Sequence, residues 1–194
     1  ASIVSAKTQR NSREENQQIK NGQRPKDWSH AKRRQKDTDA SWVKKSGKNY
    51  YGYKNHVSID VKHKLIRHFE VTTASVHDSN VFEQLLDKDN SNKNVYADSA
   101  YRSKGAVGKL SAHGFRDCIQ RRGCHYLKLT PQQIDGNHRR AKTRARIEHV
   151  FGVQAMMAGS LTIRTIGKLR AKTIIGLRNL AYNMFRYRLL VQSP

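Results

Sequence analysis

What this chain lacks excludes several classes of protein. No apolar run approaches the roughly 18 residues that a membrane-spanning helix needs. The only cysteines, Cys118 and Cys124, are too few for a disulfide framework, and no Cys-x2-Cys or His-x3-His spacing predicts a zinc site. No Gly-x-Ser-x-Gly segment or Cys/His pair suggests a nucleophilic hydrolase. We therefore expect a protein of a reducing, cytoplasmic compartment.

Acidic residues are also scarce. The 194 residues include 15 Asp and Glu against 38 Lys and Arg, a formal net charge of +23. Such an excess favours a polyanionic partner, because Lys and Arg that neutralise phosphates supply affinity for nucleic acid. A merely solvated basic surface is the alternative, but solubility requires far less charge. The composition therefore predicts nucleic-acid binding.

The segment 7–48 is polar and charged, with few apolar residues to anchor it. We expect a long loop there, partly disordered when free. A flexible tail and an arm that contacts DNA are equally compatible with this composition.

Regular structure is predicted from residue 50 onward. Apolar and polar residues alternate over 50–61, which predicts a strand, and 65–73 is its expected hairpin partner. Asn80, followed three residues later by Glu83, resembles a capping box at the start of a short helix.

The second half of the chain alternates between predicted helices and strands. Thr130-Pro131 marks a helix start within a basic insertion at 120–142. The last helix has an expected apolar stripe of Ile174, Leu177, Ala181, Met184 and Phe185. The predicted elements are a strand at 95–97, a helix at 103–110, a strand at 115–119, and helices at 140–158 and 169–190. Together with the hairpin they indicate a mixed α/β fold.

Two carboxylates could carry chemistry. Asp98 follows a predicted strand, where α/β sheets commonly place ligand-binding groups, and its carboxylate could bind a hard divalent cation. A helix N-cap is the structural alternative. Glu148 lies four residues after Arg144, so both share one helix face. An exposed ion pair explains this spacing equally well.

Four further polar residues are weaker candidates for a site. They are His56, Asp60, His77 and Asp78. Ordinary turn chemistry explains Asp60, and a helix cap explains Asp78.

Four segments together carry a resemblance to a known family. They are GYKNHVSID (52–60), TASVHDS (73–79), YADSAY (96–101) and RARIEHVFG (144–152). In this order they resemble the nuclease domain of DDE transposases from bacterial insertion sequences, and most closely insertion-sequence family five. The resemblance covers nearly the whole chain.

The resemblance implies a fold and a metal site. The fold is a ribonuclease-H-like mixed sheet flanked by helices, with a nuclease domain at 1–160 and a C-terminal helical extension at 161–194 packed on it. Asp98 and Glu148 correspond to the second Asp and the Glu of an Asp-Asp-Glu set that holds Mg²⁺ or Mn²⁺. Arg144 corresponds to the family's supporting arginine.

The resemblance also implies a missing residue. Residues 1–6 resemble the segment that directly follows the family's first catalytic Asp. We therefore expect a DNA transposase catalytic domain, for metal-dependent DNA cleavage and strand transfer, that is inactive or severely impaired alone. The alternatives are a non-catalytic nucleic-acid-binding remnant and a basic ribosome-associated protein.

The resemblance implies the transposon ends and the target DNA as partners, bound by a dimer in the nucleoid of a bacterial cytoplasm. The phosphate contacts that we expect are Arg121, Arg122, Arg139, Arg140, Lys142 and Arg146.

Overall fold

The computed structural model of the chain describes residues 1–90, 92–159 and 162–192. Its fold is mixed α/β, as expected. The strands are β1 (Ser2–Ser5), β2 (Ser41–Lys45), β3 (Lys48–Ile59), β4 (Ile66–Thr73), β5 (Asn94–Val95) and β6 (Arg116–Asp117). The helices are α1 (Arg13–Lys20), α2 (His30–Gln35), α3 (Lys104–Ala112), α4 (Pro131–Arg144), α5 (Arg146–Ala158) and α6 (Lys168–Gln192). Short 3-10 turns span Asp78–Val81, Glu83–Leu85 and Ser99–Tyr101.

Strand β3 organises the main sheet, because β1, β2 and β4 all pair with it in antiparallel fashion. The predicted hairpin at 50–61 and 65–73 corresponds to β3 and β4. Strands β5 and β6 form a separate parallel pair. The sequence predicted longer strands at these places, 95–97 and 115–119, than the two-residue strands observed.

Gly52 allows β1 to approach β3 closely. Its φ is +151°, and a Cβ at this position would lie 2.3 Å from the carbonyl oxygen of Val4. Any other residue would therefore displace β1.

The segment 7–48, expected to be a long loop, contains α1, α2 and β2. Trp28 anchors it: the residue is only 4% exposed, and its indole Nε1 donates to Glu15 Oε1 at 2.6 Å. A capping box at Ser12 starts α1. The loop prediction was wrong because local caps and one buried aromatic residue order a segment that has little overall hydrophobicity.

Helix α6 packs on β3 and β4 through a face that the sequence did not identify. The buried face contains Ala171, Ile175, Asn179 and Tyr182, whereas Leu177 of the predicted stripe is 56% exposed. Of the other predicted residues, Ile174 packs against the core, whereas Ala181, Met184 and Phe185 are exposed. Apolar residues surround this helix, so periodicity alone did not identify the inward face.

Polar pairing selects the inward face of α6. Asn179 exchanges two hydrogen bonds with buried Asn55 of β3. Asn55 Nδ2 donates to Asn179 Oδ1 at 2.9 Å, and Asn179 Nδ2 donates to Asn55 Oδ1 at 3.3 Å. Asn183 accepts from the backbone N–H of Ile66 at 2.8 Å and donates to its carbonyl at 2.9 Å. Buried amides require partners, so these bonds fix the rotation of α6.

The helix predicted at 140–158 is two helices. Helix α4 starts at Pro131 with Thr130 as its cap, as predicted, and ends at Arg144, while α5 begins at Arg146. Ala145 joins them with no side-chain cap, so the chain turns just before Glu148.

None of the helices in the described part of the chain is long and apolar enough to cross a membrane.

Candidate active site

A cavity of about 670 Å³ brings the two predicted carboxylates together. Asp98 reaches it from the segment after β5, and Glu148 reaches it from the first turn of α5. Ser2 and Ile3 of β1 form another part of the lining. The cavity thus joins parts of the chain that are far apart in sequence.

Asp98 is both a cap and a cavity residue. Its Oδ1 accepts the backbone N–H of Ala100 at 2.6 Å, which caps the 3-10 turn Ser99–Tyr101. The structural alternative from the sequence is therefore correct, and it does not exclude a role in a site. The cap holds the exposed carboxylate in place at the mouth of the cavity.

Glu148 and Arg144 form the expected pair across the junction of α4 and α5. Arg144 Nη2 lies 3.0 Å from Glu148 Oε1, and the Glu148 side chain is 62% exposed. The Nε of Arg144 is buried and has no hydrogen-bond partner within the part of the chain that the structure describes. A buried guanidinium N–H with no acceptor fits a site that takes up an anionic group such as a phosphate.

The predicted phosphate contacts are spread more widely than the cavity. Arg146 lies on its wall, and its Nη1 donates to the carbonyl of Val61. The remaining predicted contacts stand outside the lining: Arg121 and Arg122 before α4, and Arg139, Arg140 and Lys142 on α4. Arg139 is paired with Asp135 at 3.2 Å. The others are exposed, except for half-buried Arg140.

Sequence reasoning underestimated Asp78. It was interpreted as a helix cap, but His77 is the cap: its Nδ1 accepts the backbone N–H of Ser79 at 3.3 Å. The predicted capping box at Asn80 was also wrong, because two 3-10 turns replace the helix. Asp78 instead lines the cavity. The signal available in the sequence was the pair His77-Asp78 in the turn region that follows β4.

Asp78 lies within a small polar cluster. Lys54 of β3 donates to Asp78 Oδ1 at 2.9 Å, and the Nδ1 of buried His56 lies 4.0 Å from the same oxygen. Burial acts to raise the pKa of Asp78, but the hydrogen bond from Lys54 and the positive charges of the Ala1 amino group and Lys54 outweigh it and lower the pKa. Burial lowers the pKa of His56 to about 4, so its imidazole is neutral at pH 7. Burial also raises the pKa of Tyr101, with further contributions from the charges of Asp78 and Asp98.

The residues present fit a divalent cation in kind but not in number. Asp98 and Glu148 offer the carboxylate oxygens that Mg²⁺ and Mn²⁺ prefer. Among the residues that the structure describes, however, no group of three His, Cys, Asp or Glu side chains is close enough to enclose an ion. Binding would therefore require the acids to move together.

Comparison with known proteins assigns the family. Residues 26–184 match the family model described as "Transposase DDE domain". The chain belongs to the DDE transposase family. Asp98, Arg144 and Glu148 all lie inside the matched range, and the predicted membership of the DDE transposases is confirmed. The narrower assignment to insertion-sequence family five stays a prediction.

A curated DDE transposase relative agrees with this assignment. The chain is 34% identical over 117 residues to the transposase for insertion sequence element IS1106 of Neisseria meningitidis serogroup B. The alignment covers 60% of this chain and 40% of that protein, so the chain spans less than half of its relative. No solved structure matches the chain.

Proposed function

We propose that the chain is the catalytic portion of a DNA transposase, which cleaves DNA and transfers strands at the cavity between Asp98 and Glu148. The observation that carries the proposal is the meeting of these two acids, 50 residues apart in sequence, in one cavity of a DDE transposase domain. The membership in the family supports DNA as the partner, and the charge of +23 supports binding through phosphates.

Each side chain has a distinct task in this proposal. Asp98, fixed by its bond to Ala100, and Glu148 would hold Mg²⁺ or Mn²⁺ through their oxygens. When bound, the ions would supply charge stabilisation and an activated oxygen nucleophile. Arg144 orients the Glu148 carboxylate, and its unpaired Nε–H can donate to a phosphate oxygen in the cavity.

We also propose that this chain alone cleaves DNA weakly or not at all. Two carboxylates neutralise less ionic charge than three and constrain the spacing of the ions less tightly. Further proposals accompany the assignment as a transposase. We propose a nuclease domain at 1–160 with a helical extension at 161–194. We also propose that the protein acts on DNA as a dimer in the nucleoid.

Nicking of supercoiled plasmid in the presence of Mn²⁺ tests the catalytic proposal. We expect slow nicking at most, abolished by Asp98→Asn and by Glu148→Gln. Asp135→Asn is the matched control, because this acid lies on α4, outside the cavity lining, and pairs only at the surface with Arg139. Nicking that survives both cavity substitutions would overturn the proposal.

A non-catalytic nucleic-acid-binding protein is the second candidate, favoured by the net charge. It predicts strong DNA binding with no Mn²⁺ site that depends on Asp98 or Glu148. Ribosome association would instead show as a preference for RNA over DNA.

DNA affinity measured as a function of salt tests the proposed phosphate contacts. We expect a steep loss of affinity, since neutralised phosphates release counterions. The double substitution Arg121→Gln and Arg122→Gln should reduce the slope of log K against log salt by about 2. An unchanged slope would remove these two arginines from the interface.

A further inference from the structure

Asp78 is a cavity carboxylate with no part in the mechanism above. It is not the cap of its turn, because His77 fills that role. It lies on the 3-10 turn Asp78–Val81, which packs against the turn that Asp98 caps. Tyr101 of the second turn is close to both carboxylates, because, besides burial, the charges of Asp78 and Asp98 both raise its pKa. The two acids therefore face the same cavity from adjacent turns.

The hydrogen bonds around His56 determine which of its ring nitrogens carries the proton. Thr72 Oγ1 donates to the carbonyl of Thr73 at 3.0 Å, so this hydroxyl must accept from His56 Nε2, 2.8 Å away. The neutral imidazole consequently has its proton on Nε2 and an unshared electron pair on Nδ1.

That electron pair has no donor. His56 is fully buried, its Nδ1 has no hydrogen-bond partner among the described residues, and it lies 4.0 Å from Asp78 Oδ1. Two acceptors thus face each other with no hydrogen between them. Such an arrangement attracts a cation, because the buried Nδ1 without a partner costs free energy and the carboxylate beside it is an anion.

The cation now beside Asp78 is Lys54. Its Nζ donates to Asp78 Oδ1 at 2.9 Å and to the carbonyl of Val76 at 2.7 Å, and its side chain is largely buried. Lys54 therefore neutralises the carboxylate in the metal-free protein and competes with any ion that approaches from the cavity.

We propose that Asp78 is an additional metal-binding carboxylate of this cavity and shares a divalent cation with Asp98. This inference rests on the proposed metal-dependent function. Asp78 would bind the ion only after its carboxylate turns from Lys54 toward the cavity. Because Lys54 competes for it, this third acid is compatible with weak cleavage by the chain alone.

Titration of the whole chain with Mn²⁺, followed by electron paramagnetic resonance of the free ion, tests the proposal without relying on activity. Asp78→Asn keeps an oxygen that can accept from Lys54 but loses the charge. We expect it to weaken Mn²⁺ binding about tenfold or more, as Asp98→Asn should. Asp60→Asn is the matched control: this acid is bonded to His63 at 2.8 Å in the turn after β3 and should leave binding unchanged.

Lys54→Gln gives the opposite prediction and covers the case in which Asp78→Asn fails to fold. Removing the competing ammonium should tighten Mn²⁺ binding about threefold or more. A purely structural Lys54–Asp78 pair would give unchanged or weaker binding, and that result would overturn the proposal.

The variants also separate this inference from the proposed function. Loss of Mn²⁺ affinity in Asp98→Asn and Glu148→Gln, with wild-type affinity in Asp78→Asn, would overturn the role of Asp78 alone. If Asp78→Asn lost Mn²⁺ affinity while Asp98→Asn and Glu148→Gln kept it, both the proposed function and the ion shared with Asp98 would be overturned. A folded chain that binds no Mn²⁺ would overturn both.

Discussion

Asp37 and Glu15 of segment 7–48 are used differently from Asp98 and Glu148 of the cavity. Asp37 is buried, and its Oδ1 accepts from the backbone N–H groups of Asp39 and Ala40 at 3.0 and 3.1 Å and from Tyr53 Oη at 2.8 Å. The second oxygen, Oδ2, also lies 2.8 Å from Tyr53 Oη. Asp37 is therefore saturated with donors from the protein.

Glu15 in the same segment is saturated as well. Oε1 accepts from Trp28 Nε1 at 2.6 Å and Lys32 Nζ at 2.7 Å, and Oε2 accepts from the Ser12 N–H at 2.8 Å.

Asp98 and Glu148 keep oxygens available for a ligand, unlike buried Asp87 of the same lining, which accepts from Arg67 and from the backbone N–H of Asp89. Within the described residues, the hydrogen bond to Asp98 comes from Ala100 and the one to Glu148 comes from Arg144. Both carboxylates are exposed to the cavity. Acids whose oxygens are all occupied hold the fold together, whereas acids with unoccupied oxygens can bind a cation. Four substitutions sharpen this comparison.

Asp37→Ala should have the largest effect. It leaves the Tyr53 hydroxyl and two backbone N–H groups without their acceptor, so we expect the free energy of unfolding to fall by about 3 kcal/mol. Chemical denaturation measures this loss. Asp135→Ala, at an exposed site on α4, should change it by less than about 0.5 kcal/mol. If both variants lost the same amount, Asp37 would not be a structural acid.

Asp98→Asn should affect binding rather than stability. Asn caps a helical turn about as well as Asp, so the free energy of unfolding should change by less than about 0.5 kcal/mol. Mn²⁺ affinity should fall about tenfold, or about 1.4 kcal/mol. Asp98→Ala removes the cap too and should cost about 1 kcal/mol of stability. A larger stability loss in Asp98→Asn would place Asp98 with the structural acids.

Glu148→Gln should leave stability nearly unchanged. The pair with Arg144 is largely exposed and salt-screened, so its loss should cost about 0.5 kcal/mol or less in thermal unfolding. Raising the salt concentration should reduce the difference in stability between the wild type and Glu148→Gln still further. A loss above 1 kcal/mol would show that Glu148 stabilises the junction of α4 and α5.

The pH dependence of Glu15 should be the smallest effect. Bonds from Lys32, Trp28 and Ser12 lower the pKa of Glu15 from 4.5 to about 2. The folded state therefore binds this proton less readily than the unfolded chain, and the stabilisation is complete above pH 4.5 and lost as the pH falls toward 2. Solvent screening keeps the effect below about 0.5 kcal/mol.

Comparing the melting temperatures of the wild type and Glu15→Gln over this range measures that contribution. The difference between them should narrow as the pH is lowered. A difference independent of pH would mean that the Glu15 contacts do not depend on its charge.

Local patterns were sufficient for much of the fold. Alternation predicted β3 and β4, and Thr130-Pro131 predicted the start of α4, because side-chain period and cap chemistry act over a few residues. The same patterns failed for segment 7–48, where the burial of Trp28 depends on partners that the local sequence does not reveal.

The site shows the same division between sequence and tertiary structure. By itself the sequence determined the charge of the chain, its resemblance to DDE transposases and the two acids Asp98 and Glu148, since each follows from residue type and spacing. Only the tertiary structure decided which acids are saturated, which face of α6 is buried, and that Asp78 joins the cavity. These outcomes depend on contacts between segments distant in sequence, whose hydrogen bonds and burial no local pattern specifies.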